Sequence, residues 1–433
     1  HLPLGGTCVN VGCVPSKTLL RAAAAAYETA HPRFAGIEPG TGAVDFQAVM
    51  AQKGSLVEAL RASKYEDVVA AHPEMTLIRG HARLFSAGAV EVSGKIIKAD
   101  RILLATGARP AVPDVPGLAS SEYLTSQTAL DLTQRPESLL VLGGRYVALE
   151  MAQLFARLGC RVAVLQRSDR ILPTENAHLT EALQEYLKEE GLRIETGVRL
   201  KQVRRRGNGV EVETTTNGAR RVFEATHLLV ATGRVPNSGG MDLSKLGVAV
   251  DANGFVEVDE TLQTGVKGIY AAGDLIGPPM FVYTAAYEGA LAAENALTGN
   301  GKVRDYTAQP WVVFTDPQFA GVGLDMRQAA AAGLDVEQVT LPLESIPRAL
   351  AARNTRGKIQ LIRERSTDRL VGGRILAPEG SELLMEISLA IKFGVTCRQL
   401  AEAFHPYLTH SEGVKLAAIA FRKDVSQLSC CAV

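Results

Sequence analysis

The chain contains 433 residues, of which 46% are hydrophobic and 21% are charged. This length exceeds what one hydrophobic core usually supports, and the composition argues against disorder, so we expect two or three folded domains. The 46 Lys and Arg residues balance the 46 Asp and Glu residues, which gives no reason to expect nucleic acid or a membrane as a partner. No apolar run is long enough to span a bilayer and no secretory signal is recognisable, which predicts a cytoplasmic protein.

Hydrophobic periodicity predicts alternating helices and strands along the chain. Apolar residues recur at helical spacing over residues 19–27 and 46–65, and short alternating stretches between residues 75 and 97 indicate a small sheet. Further strands are predicted at 101–106, 138–142, 161–165, 210–214, 227–232, 311–314, 359–363 and 369–375. Further helices are predicted at 147–158, 179–190, 382–393 and 397–403. The composition changes at about Tyr306, which indicates a separate α+β domain from there onward.

The predicted strand at 138–142 begins a βαβ unit. It runs through Gly143 into a helix, and the strand at 161–165 completes the unit, which is typical of a nucleotide-binding module. The amide N–H groups and the positive helix end at such a turn can bind a pyrophosphate, so Gly143 and Ala148 are candidate cofactor-binding residues. Arg145 replaces the second glycine of the usual fingerprint, and a tight turn without a ligand is the alternative.

The end of the second strand indicates which nicotinamide cofactor binds. An NAD site places Asp or Glu there to bind the ribose 2′-hydroxyl. Here Gln166 occupies that place, Arg167 follows it, and Arg170 is nearby. A carboxylate would repel a 2′-phosphate, whereas an arginine pairs with it, so the sequence favours NADPH with Arg167 as a contact. The alternative is that these arginines form a solvated surface.

Three other strands end in turns that a ligand can approach. The tripeptide Ala-Thr-Gly occurs at residues 105–107 and again at 231–233, each time at the end of a buried strand. A glycine at such a turn lets the backbone approach a ligand closely. The segment 268–274 repeats this pattern with an acidic residue at its tip. Thr106, Gly107 and Gly233 are therefore candidate cofactor-binding residues.

The six cysteines are grouped in a way that indicates chemistry. The two clusters are Cys8 with Cys13, and Cys430 with Cys431. In a reducing cytosol, such clusters indicate catalysis or metal binding rather than structural disulfides. The other two, Cys160 and Cys397, have apolar surroundings and are predicted to be inert core residues.

The spacing of Cys8 and Cys13 is incompatible with a disulfide between them in a regular helix. Five steps along a regular helix advance about 7.5 Å and rotate roughly 140° out of alignment, whereas a disulfide needs Cα atoms within about 7 Å. If Cys8 and Cys13 pair, the helix start must be distorted, and Gly12 and Pro15 are suited to distort it. A thiol at a helix N-terminus near Lys17 is expected to have a lowered pKa.

The segment from Gly5 to Lys17 resembles the pyridine nucleotide–disulfide oxidoreductases, which include glutathione reductase and dihydrolipoyl dehydrogenase. The two Ala-Thr-Gly turns, the Ala-Ala-Gly-Asp segment and the C-terminal domain extend the resemblance over nearly the whole chain. It implies an α/β fold with two Rossmann-like nucleotide-binding domains, one for FAD and one for NADPH, plus a C-terminal α+β dimerisation domain. The implied boundaries are 1–120 with 234–304 for the FAD-binding domain, 121–233 for the NAD(P)H-binding domain, and 305–433 for the dimerisation domain with its cysteine tail.

The resemblance also implies a role for each residue near the flavin. Cys13 would lie against the flavin, and Cys8 would be the outer, exchanging thiol of the redox pair. Lys17 would pair with Glu150 near the flavin ring. Further cofactor-binding residues would be Gly6 and Thr7, Asp274 on the FAD ribityl chain, and Tyr146 as a gate over the nicotinamide pocket. The family usually opens with a first FAD fingerprint upstream of the cysteine pair, and because this chain begins at His1 without one, we expect a fragment or a lost start.

One position favours metal reduction over disulfide reduction. Disulfide reductases of this family use a C-terminal histidine to protonate the leaving thiolate. Aligned on Ser411-Glu412, this sequence has Tyr407 in that place, and His405 lies two residues earlier. A phenol with an unperturbed pKa of about 10 is a poor acid near neutral pH. Transfer of a metal ion between thiolates needs no such acid.

The cysteine tail also favours metal reduction, because adjacent thiols can present soft ligands to a soft metal. The resemblance implies that this tail and Tyr407 serve the partner subunit's site in a homodimer. The candidate metal ligands are Cys8, Cys13, Tyr65, Tyr407, Cys430 and Cys431. The expected function is mercury detoxification, in which NADPH electrons reduce Hg(II) to Hg(0) through FAD and the cysteine pair. Two alternatives stay open: a disulfide reductase of the glutathione reductase or dihydrolipoyl dehydrogenase type, and a flavin-free fragment that binds metal through its thiols.

Overall fold

The computed structural model describes residues 2–427, and two folded units within them are each assembled from three stretches of chain. The first unit contains the residues up to Pro15, Gly54–Pro113 and Thr232–Asp305. The second unit contains Ser16–Lys53, Asp114–Ala231 and the residues from Tyr306 onward. Within the described chain, no helix combines the length and the apolarity needed to cross a membrane.

The helices of the first unit differ in type. The α-helices are Gly6–Val11, the C-terminal part of Phe46–Arg61, Asp67–Ala71 and Val282–Thr298. A π-helix at Ala62–Glu66 and 3₁₀ helices at Leu243–Leu246 and Gly273–Ile276 complete the set. The long helix Val282–Thr298 ends at Gly299, whose φ of 97° is a left-handed conformation that glycine adopts without strain.

The strands of the first unit form three small sheets. Ala82–Ser86, Ala89–Val92 and Lys95–Lys98 form an antiparallel meander, and Ala108–Pro110 pairs antiparallel with Arg234–Pro236. Ile102–Leu104 pairs parallel with Ile269–Ala271, and both contribute to one buried apolar cluster. Because the carboxyl ends of parallel strands meet at one edge, the turns that follow Leu104 and Ala271 lie side by side.

The second unit contains most of the regular structure. Its α-helices are Cys13–Ala30, Ser126–Ala129, Tyr146–Arg157, Ala177–Glu189, Met326–Ala331, Pro347–Ala351, Gly380–Lys392, Cys397–Glu402 and Glu412–Ile419, with 3₁₀ helices at Leu343–Ser345 and Val425–Gln427. A three-stranded antiparallel meander is formed by Val198–Arg206, Gly209–Thr216 and Ala219–Ala225. Apolar residues of this meander share a buried cluster with Leu140 and Leu142.

A parallel five-stranded sheet carries the βαβ unit. Its order is Leu124–Thr125, His227–Val230, Ser138–Leu142, Arg161–Leu165 and Arg193–Glu195. Its central strands, Ser138–Leu142 and His227–Val230, are apolar after their first residue, as expected where both faces of a parallel sheet are covered, and Val141 and Leu142 have no exposed surface. The helix Tyr146–Arg157 packs on one face, together with Leu19 and Ala23 of the helix Cys13–Ala30.

An antiparallel five-stranded sheet dominates the C-terminal part. Its order is Trp311–Val313, Gln318–Gly323, Leu370–Ala377, Lys358–Glu364 and Val336–Pro342. Leu384, Ile387 and Val414 on two of its helices pack with Ile359 and Ile375 of the strands in one core cluster. This arrangement is the α+β domain that the composition change at about Tyr306 predicts.

Most predicted elements are present with shifted ends. The strands at 138–142 and 161–165 have the predicted bounds, and the helix predicted at 19–27 extends over Cys13–Ala30. The helix predicted over 46–65 is wrong at its C-terminal end, because the α-helix stops at Arg61 and a π-helix follows. The larger elements that the sequence patterns do not predict are Val198–Arg206, Ala219–Ala225, Val282–Thr298, Gln318–Gly323, Val336–Pro342 and Glu412–Ile419.

Candidate active site

The two N-terminal cysteines lie on either side of a helix break. Cys8 lies in the short first helix, and Cys13 is the first residue of the next helix. Both are half-buried. A Cβ at Gly12 would stand 2.8 Å from the carbonyl oxygen of Thr7 and 3.3 Å from its carbonyl carbon, so the backbone passes too close there for a side chain. The predicted distortion at Gly12 is confirmed.

The Tyr65 ring lies beside the start of the first helix. Tyr65 belongs to the π-helix Ala62–Glu66, which interrupts two α-helical segments. A Cβ added to Gly5, whose φ is 95°, would stand 3.0 Å from two carbons of the Tyr65 ring. Gly5 precedes Cys8 by three residues, so the structure brings this phenol to the helix that carries the first cysteine. Insertions of this kind in α-helices are frequent at functional sites.

Two polar side chains connect the π-helix to the first helix, Gly6–Val11, which carries Cys8 and is called the cysteine helix below. Asn10 Nδ2 donates hydrogen bonds to the carbonyl oxygens of Leu4 and Gly6, both at 2.9 Å. Arg61 Nη1 donates to Asn10 Oδ1 at 3.3 Å, and Arg61 Nε lies 3.6 Å from Glu66 Oε1. These bonds fix the start of the cysteine helix and hold the π-helix against it. Neither Asn10 nor Arg61 is among the predicted site residues.

Lys17 and Glu150 form the ion pair that the resemblance implies. Lys17 Nζ lies 2.5 Å from Glu150 Oε2, and the Glu150 side chain is only 8% exposed. Glu150 Oε1 accepts a second hydrogen bond from the backbone N–H of Phe314 at 2.9 Å. The Phe314 ring covers the ammonium group, with Nζ 4.6 Å from the ring centroid. The charge on Lys17 therefore meets a carboxylate and an aromatic face, both of which stabilise it.

Two further residues on the Glu150 helix hold the Phe314–Asp316 segment. Gln153 Nε2 donates to the carbonyl oxygen of Asp316 at 2.8 Å, and the backbone N–H of Asp316 donates to Gln153 Oε1 at 2.7 Å. Arg157 Nη2 lies 2.9 Å from Asp316 Oδ2. Glu150, Gln153 and Arg157 are spaced by three and four residues and therefore share one helix face. A buried polar stripe on an otherwise apolar helix was the signal that could have revealed Gln153.

The glycine-rich turn has the conformation that its fingerprint requires. Gly143 has a φ of 116°, and Ala148 has no exposed surface. A Cβ at Gly144 would stand 3.0 Å from the Cβ and Cγ atoms of Gln166, so the turn packs directly on the end of the second strand. Arg145 caps the helix in an extended conformation and is exposed. The helix N-terminus is therefore accessible with a cation beside it.

The two arginines after the second strand are used differently. Arg170 Nη2 donates to the carbonyl oxygens of Pro173 and Glu175 at 2.8 and 3.0 Å, so this side chain holds its own loop together. Arg167 is exposed. The interpretation of a 2′-phosphate contact therefore depends on Arg167 rather than on Arg170.

The first Ala-Thr-Gly turn is fixed by a reciprocal pair of hydrogen bonds. Thr106 Oγ1 donates to the carbonyl oxygen of Asn237, and Asn237 Nδ2 donates to the carbonyl oxygen of Thr106, both at 2.9 Å. Gly107 has a φ of 67° and Gly233 a φ of 141°. At both glycines, no atom of residues 2–427 other than those of the adjoining residues lies within 4 Å of where a Cβ would stand. Both turns leave open space beside the backbone.

Asp274 faces a guanidinium group in the same unit. Its Oδ2 lies 3.0 Å from Arg234 Nε, and Arg234 Nη2 also donates to the carbonyl oxygen of Ala108 at 2.5 Å. The preceding residue, Gly273, donates its N–H to the buried Glu288 at 2.7 Å. The tip of this turn is therefore rigid, and the ribityl contact of Asp274 stays a prediction.

Near the C-terminus, the phenol of Tyr407 is exposed and the imidazole of His405 is buried. Tyr407 is 51% exposed, whereas the His405 side chain is only 6% exposed. His405 Nε2 lies 2.5 Å from Glu386 Oε1, and His405 Nδ1 lies 3.2 Å from the carbonyl oxygen of Ala403. Both ring nitrogens of His405 therefore face acceptors within the protein. The other two predicted metal ligands, Cys430 and Cys431, lie outside the described residues.

The two remaining cysteines are core residues, as predicted. Cys160 is 5% exposed and Cys397 is 1% exposed. Burial raises the pKa of each thiol to about 12. Neither can form a thiolate near neutral pH, which excludes both from nucleophilic chemistry.

Comparison with known protein families agrees with this geometry. Residues 2–289 match the family described as pyridine nucleotide-disulphide oxidoreductase, and residues 309–418 match its dimerisation domain. The chain belongs to the pyridine nucleotide-disulphide oxidoreductases. The predicted fold class is therefore confirmed: a mixed α/β nucleotide-binding fold is followed by a dimerisation domain.

Relatives with named activities cover nearly the whole chain. A protein named mercuric reductase from Staphylococcus aureus is 42% identical over 429 residues, which are 99% of this chain and 78% of the relative. One of the same name from Streptomyces lividans is 44% identical over 434 residues, 99% of this chain and 91% of the relative. Among solved structures, the HOCl-induced flavoprotein disulfide reductase RclA from Escherichia coli is 27% identical, with a TM-score of 0.85 over 97% of this chain and 92% of that one. LpdA from Mycobacterium tuberculosis is 28% identical, with the same TM-score and coverage.

Proposed function

We propose that this chain reduces Hg(II) to elemental mercury with NADPH as electron donor and FAD as the bound flavin. The relatives named mercuric reductase support this assignment, because they are 40–44% identical over 99% of the chain. The observation that carries the choice within the family is the exposed phenol of Tyr407 beside a buried His405. A site that must protonate a thiolate needs the reverse arrangement.

The residues fit both cofactors. Open space beside the backbone at Gly6, Gly107 and Gly233 leaves room for a ligand to lie against the chain where any other residue would place a side chain. We assign FAD to residues 1–120 with 234–304, including Thr7, Thr106 and Asp274. NADPH is assigned to residues 121–233, where the helix N-terminus after Gly143 and the exposed Arg145 and Arg167 suit its phosphates. Residues 305–433 form the dimerisation domain in this assignment.

In this assignment the protein holds a fixed charge at the flavin site. FAD, when bound, would take the reducing equivalents of NADPH and supply an electron pair to a Cys8–Cys13 disulfide or to thiolate-bound Hg(II). The Lys17 ammonium, fixed by Glu150 and covered by Phe314, provides a positive charge that does not need to reorganise during the reaction. Tyr146 is assigned as the gate over the nicotinamide pocket.

Cys8 and Cys13 are the thiols that receive the substrate. Hg(II) is a soft cation that prefers thiolate ligands, and the Tyr65 ring lies beside Gly5, at the start of the helix that carries Cys8. In the overall reaction, NADPH and Hg²⁺ give NADP⁺, H⁺ and Hg⁰, so two electrons reach the metal and its bonds to the two sulfurs break. If Cys8 and Cys13 are joined as a disulfide, two electrons must first reduce that disulfide to two thiols before the sulfurs can bind the ion.

The C-terminal tail and Tyr407 are assigned to the partner subunit's site in a homodimer. Cys430 and Cys431 would collect Hg(II) and transfer it to Cys8 and Cys13 by thiolate exchange. The match of residues 309–418 to a dimerisation domain and the exposure of Tyr407 support this arrangement. We expect the protein to act in the cytoplasm, without nucleic acid or a membrane as partner.

A disulfide reductase is the second candidate, because RclA from Escherichia coli bears that description and is 27% identical to this chain. An activity panel on the purified flavin-loaded protein separates the two candidates. We expect Hg(II), supplied as a thiol complex, to accelerate NADPH oxidation with release of mercury vapour, while oxidised glutathione and lipoamide do not. NADPH oxidation driven by a disulfide and not by Hg(II) would overturn the proposal.

Variants at Tyr407 test the observation that carries the proposal. We expect Tyr407→Phe to lower kcat/KM for Hg(II) by about 10- to 100-fold, because it removes an oxygen near the metal. The matched control is Tyr123→Phe, which removes a phenol oxygen from a half-buried ring in a different part of the fold. Equal effects of the two variants, or none from Tyr407→Phe, would contradict the assignment of Tyr407.

A further inference from the structure

Trp311 is the only tryptophan of the chain, and it lies in the first strand of the C-terminal antiparallel sheet. In that sheet Trp311 pairs with Gly321, and Gly321 pairs with Arg374 on the next strand. The three residues therefore form one row across three neighbouring strands. Residues in such a row lie on the same face of a sheet.

The absence of a side chain at Gly321 gives the indole its position. A Cβ there would stand 2.4 Å from Trp311 Cζ2, 2.6 Å from Trp311 Cε2 and 2.7 Å from Arg374 Cδ. The indole thus lies across the glycine and fills the space above its backbone. Phe319, which is fully buried, meets the indole edge-on at 5.1 Å with an interplanar angle of 90°. The indole is fixed from two directions.

Arg374 contacts the Trp311 indole from a third side and also binds Glu175 of the nucleotide-binding module. Its guanidinium carbon lies 5.6 Å from the Trp311 ring centroid, and its side chain is 2% exposed. Arg374 Nε lies 2.9 Å from Glu175 Oε2, and Nη1 donates to the carbonyl oxygen of Val322 at 2.9 Å. Glu175 follows the loop that contains Arg167. A buried, fully bonded guanidinium is not free to move, so the indole rests on a rigid base.

Tyr146 stacks on this base from the start of the nucleotide-binding helix. Its ring centroid lies 5.7 Å from that of Trp311, with an interplanar angle of 25°. Tyr146 is half-buried, and burial raises the pKa of its phenol to about 12, so the ring carries no charge in the working pH range. The contact therefore joins the rigid indole of Trp311 to the uncharged ring of Tyr146, which lies beside the Gly143 turn.

We propose that Trp311 is a positioning residue of the pyridine nucleotide site, which holds the Tyr146 ring in a stacked position from which a bound nucleotide displaces it. The inference rests on the proposed function, since it assigns Tyr146 to the nicotinamide pocket. Separating the two rings costs their stacking energy. Nucleotide binding is therefore weaker by that amount than it would be without the stack. The dimerisation domain thereby sets part of the affinity for a ligand that binds to a different domain.

The first experiment uses the single tryptophan as a reporter in the flavin-loaded wild-type protein. NADP⁺ is titrated while tryptophan emission is recorded, and binding is measured in parallel by calorimetry. We expect a saturable emission change with the calorimetric dissociation constant. The same change is expected in Tyr146→Phe, which keeps the ring, and no change in Tyr146→Ala, which removes it. An unchanged emission on binding, or an equal change in Tyr146→Ala, would overturn the proposal.

The second experiment changes the indole itself. We expect Trp311→Leu to bind NADP⁺ about two- to tenfold more tightly, because no stack must be broken, and Trp311→Phe to stay near the wild type. Phe85→Ala, at an exposed aromatic residue of the first unit, is the control and should leave the affinity unchanged. Weaker or equal binding by Trp311→Leu, with melting temperature and flavin content intact, would overturn the proposal. If Trp311→Leu does not fold, the emission titrations of the wild type and Tyr146→Ala still decide.

The two proposals fail in different ways. If NADP⁺ does not bind to the wild type at all, the proposed NADPH dependence fails, and the role of Trp311 fails with it. If NADP⁺ binds but the emission of Trp311 and the affinity of Trp311→Leu are unchanged, the proposed function stands and only the role of Trp311 is overturned.

Discussion

Two clusters of arginines and carboxylates in the second unit have similar bonds and different surroundings. In the buried cluster, Glu190 accepts hydrogen bonds from Arg157 at 2.6 and 2.8 Å, from Arg356 at 2.8 Å and from Gln153 at 2.9 Å, and its side chain is 1% exposed. In the exposed cluster on the antiparallel meander, Arg220 holds Glu213 by two bonds at 2.9 and 3.0 Å, and the Arg220 side chain is 64% exposed.

The difference lies in what happens when one partner is removed. In water, a charge that loses its partner is solvated again, so exposed pairs contribute little to stability. In the interior, the remaining charge has no solvent, and breaking a buried pair is strongly destabilising even where forming it gains little. The buried cluster also holds Asp316 through Arg157, and therefore supports the Phe314–Asp316 segment over Lys17. Burial, rather than bond length, should rank the effects of substitution.

The largest effect should follow removal of the central buried carboxylate. We expect Glu190→Ala to lower the free energy of unfolding by about 3–5 kcal/mol, because it leaves Arg157 and the nearby Arg356 without their shared anion. Urea denaturation followed by circular dichroism measures this loss. The control is Glu189→Ala, which removes an adjacent exposed carboxylate of the same helix end. A loss below about 1 kcal/mol for Glu190→Ala would place the cluster among surface pairs.

The next effect concerns activity at the half-buried Lys17–Glu150 pair. Lys17→Met leaves the Glu150 carboxylate, which is 8% exposed, with the Phe314 N–H as its remaining described donor. We expect kcat for NADPH-dependent reduction to fall about 100-fold, because the variant loses the fixed positive charge of the proposed flavin site. Steady-state kinetics and the flavin absorption spectrum measure the change.

The helix of Lys17 offers a matched control for this variant. Arg21 lies one turn further along and pairs with Glu379 at 2.8 Å, but its side chain is 77% exposed. Arg21→Met should leave kcat within about twofold of the wild type, since an exposed charge is well screened. If Lys17→Met and Arg21→Met have equal kcat values, the Lys17–Glu150 pair has no special role in turnover.

Much of the fold was predictable because local patterns and tertiary packing agree. The strands at 138–142 and 161–165 are apolar after their first residue, and they lie inside a sheet that is covered on both faces. The strand Val198–Arg206 was not predictable in this way, because its exposed positions carry a run of arginines whose partners lie on neighbouring strands. The helix Val282–Thr298 was not predicted, although its alanines and the glycine that ends it are typical of a helix.

The candidate site was predictable only where a motif names its residues. The cysteine pair, Lys17 and the glycine turn all lie in recognisable segments. Gln153 and Phe314 could not be found in the same way, because their roles depend on contacts between segments more than 150 residues apart, namely 163 for Gln153 with Asp316 and 164 for Phe314 with Glu150. The π-helix that carries Tyr65 was missed because helical periodicity does not distinguish it from an α-helix.

A third, smaller effect is expected for a substitution at His405, where the two KM values should show whether this residue only positions its neighbours. His405→Asn removes the bond to Glu386 and loosens the segment that presents Tyr407. We expect KM for Hg(II) to rise about five- to tenfold with KM for NADPH unchanged, because misplaced groups weaken one substrate's site only. His72→Asn breaks an exposed His–Glu pair of 2.7 Å and is the control. Equal changes in both KM values would indicate a general structural defect.

A fourth effect depends on pH and lies at the partly buried Asp368. Burial alone would raise the pKa of this carboxyl, but the N–H of Arg398 and the guanidinium groups of Arg363 and Arg422 hold it below its usual range. A lowered pKa contributes stability above the unfolded value of about 3.9, and this stability is lost as the pH falls through the folded value. We expect Asp368→Asn to cost about 1 kcal/mol near pH 7 and progressively less below about pH 4.

Urea titrations at several pH values measure this difference between the wild type and Asp368→Asn. The control is Asp335→Asn, at a carboxylate that is 79% exposed and lies 3.4 Å from Arg365. The control should show no pH-dependent difference from the wild type. The expected sign is a stability difference between the wild type and Asp368→Asn that shrinks as the pH falls. A difference that grew as the pH fell would show that the hydrogen bonds to Asp368 are not the cause of the stability difference.

The smallest effect should come from the exposed cluster. The pKa of Glu213 is lowered, mainly by the hydrogen bond from Arg220, so the pair exists at neutral pH. Both charges can nevertheless be solvated after either is removed, and salt screens their attraction. We expect the urea midpoint of Glu213→Gln to equal that of the wild type at physiological salt and to fall slightly only at low salt. If Glu213→Gln were as destabilising as Glu190→Ala, bond geometry rather than burial would decide the strength of these pairs. The ranking of all the variants discussed above would then have to be redrawn from distances alone, with the bidentate Arg220–Glu213 pair among the strongest.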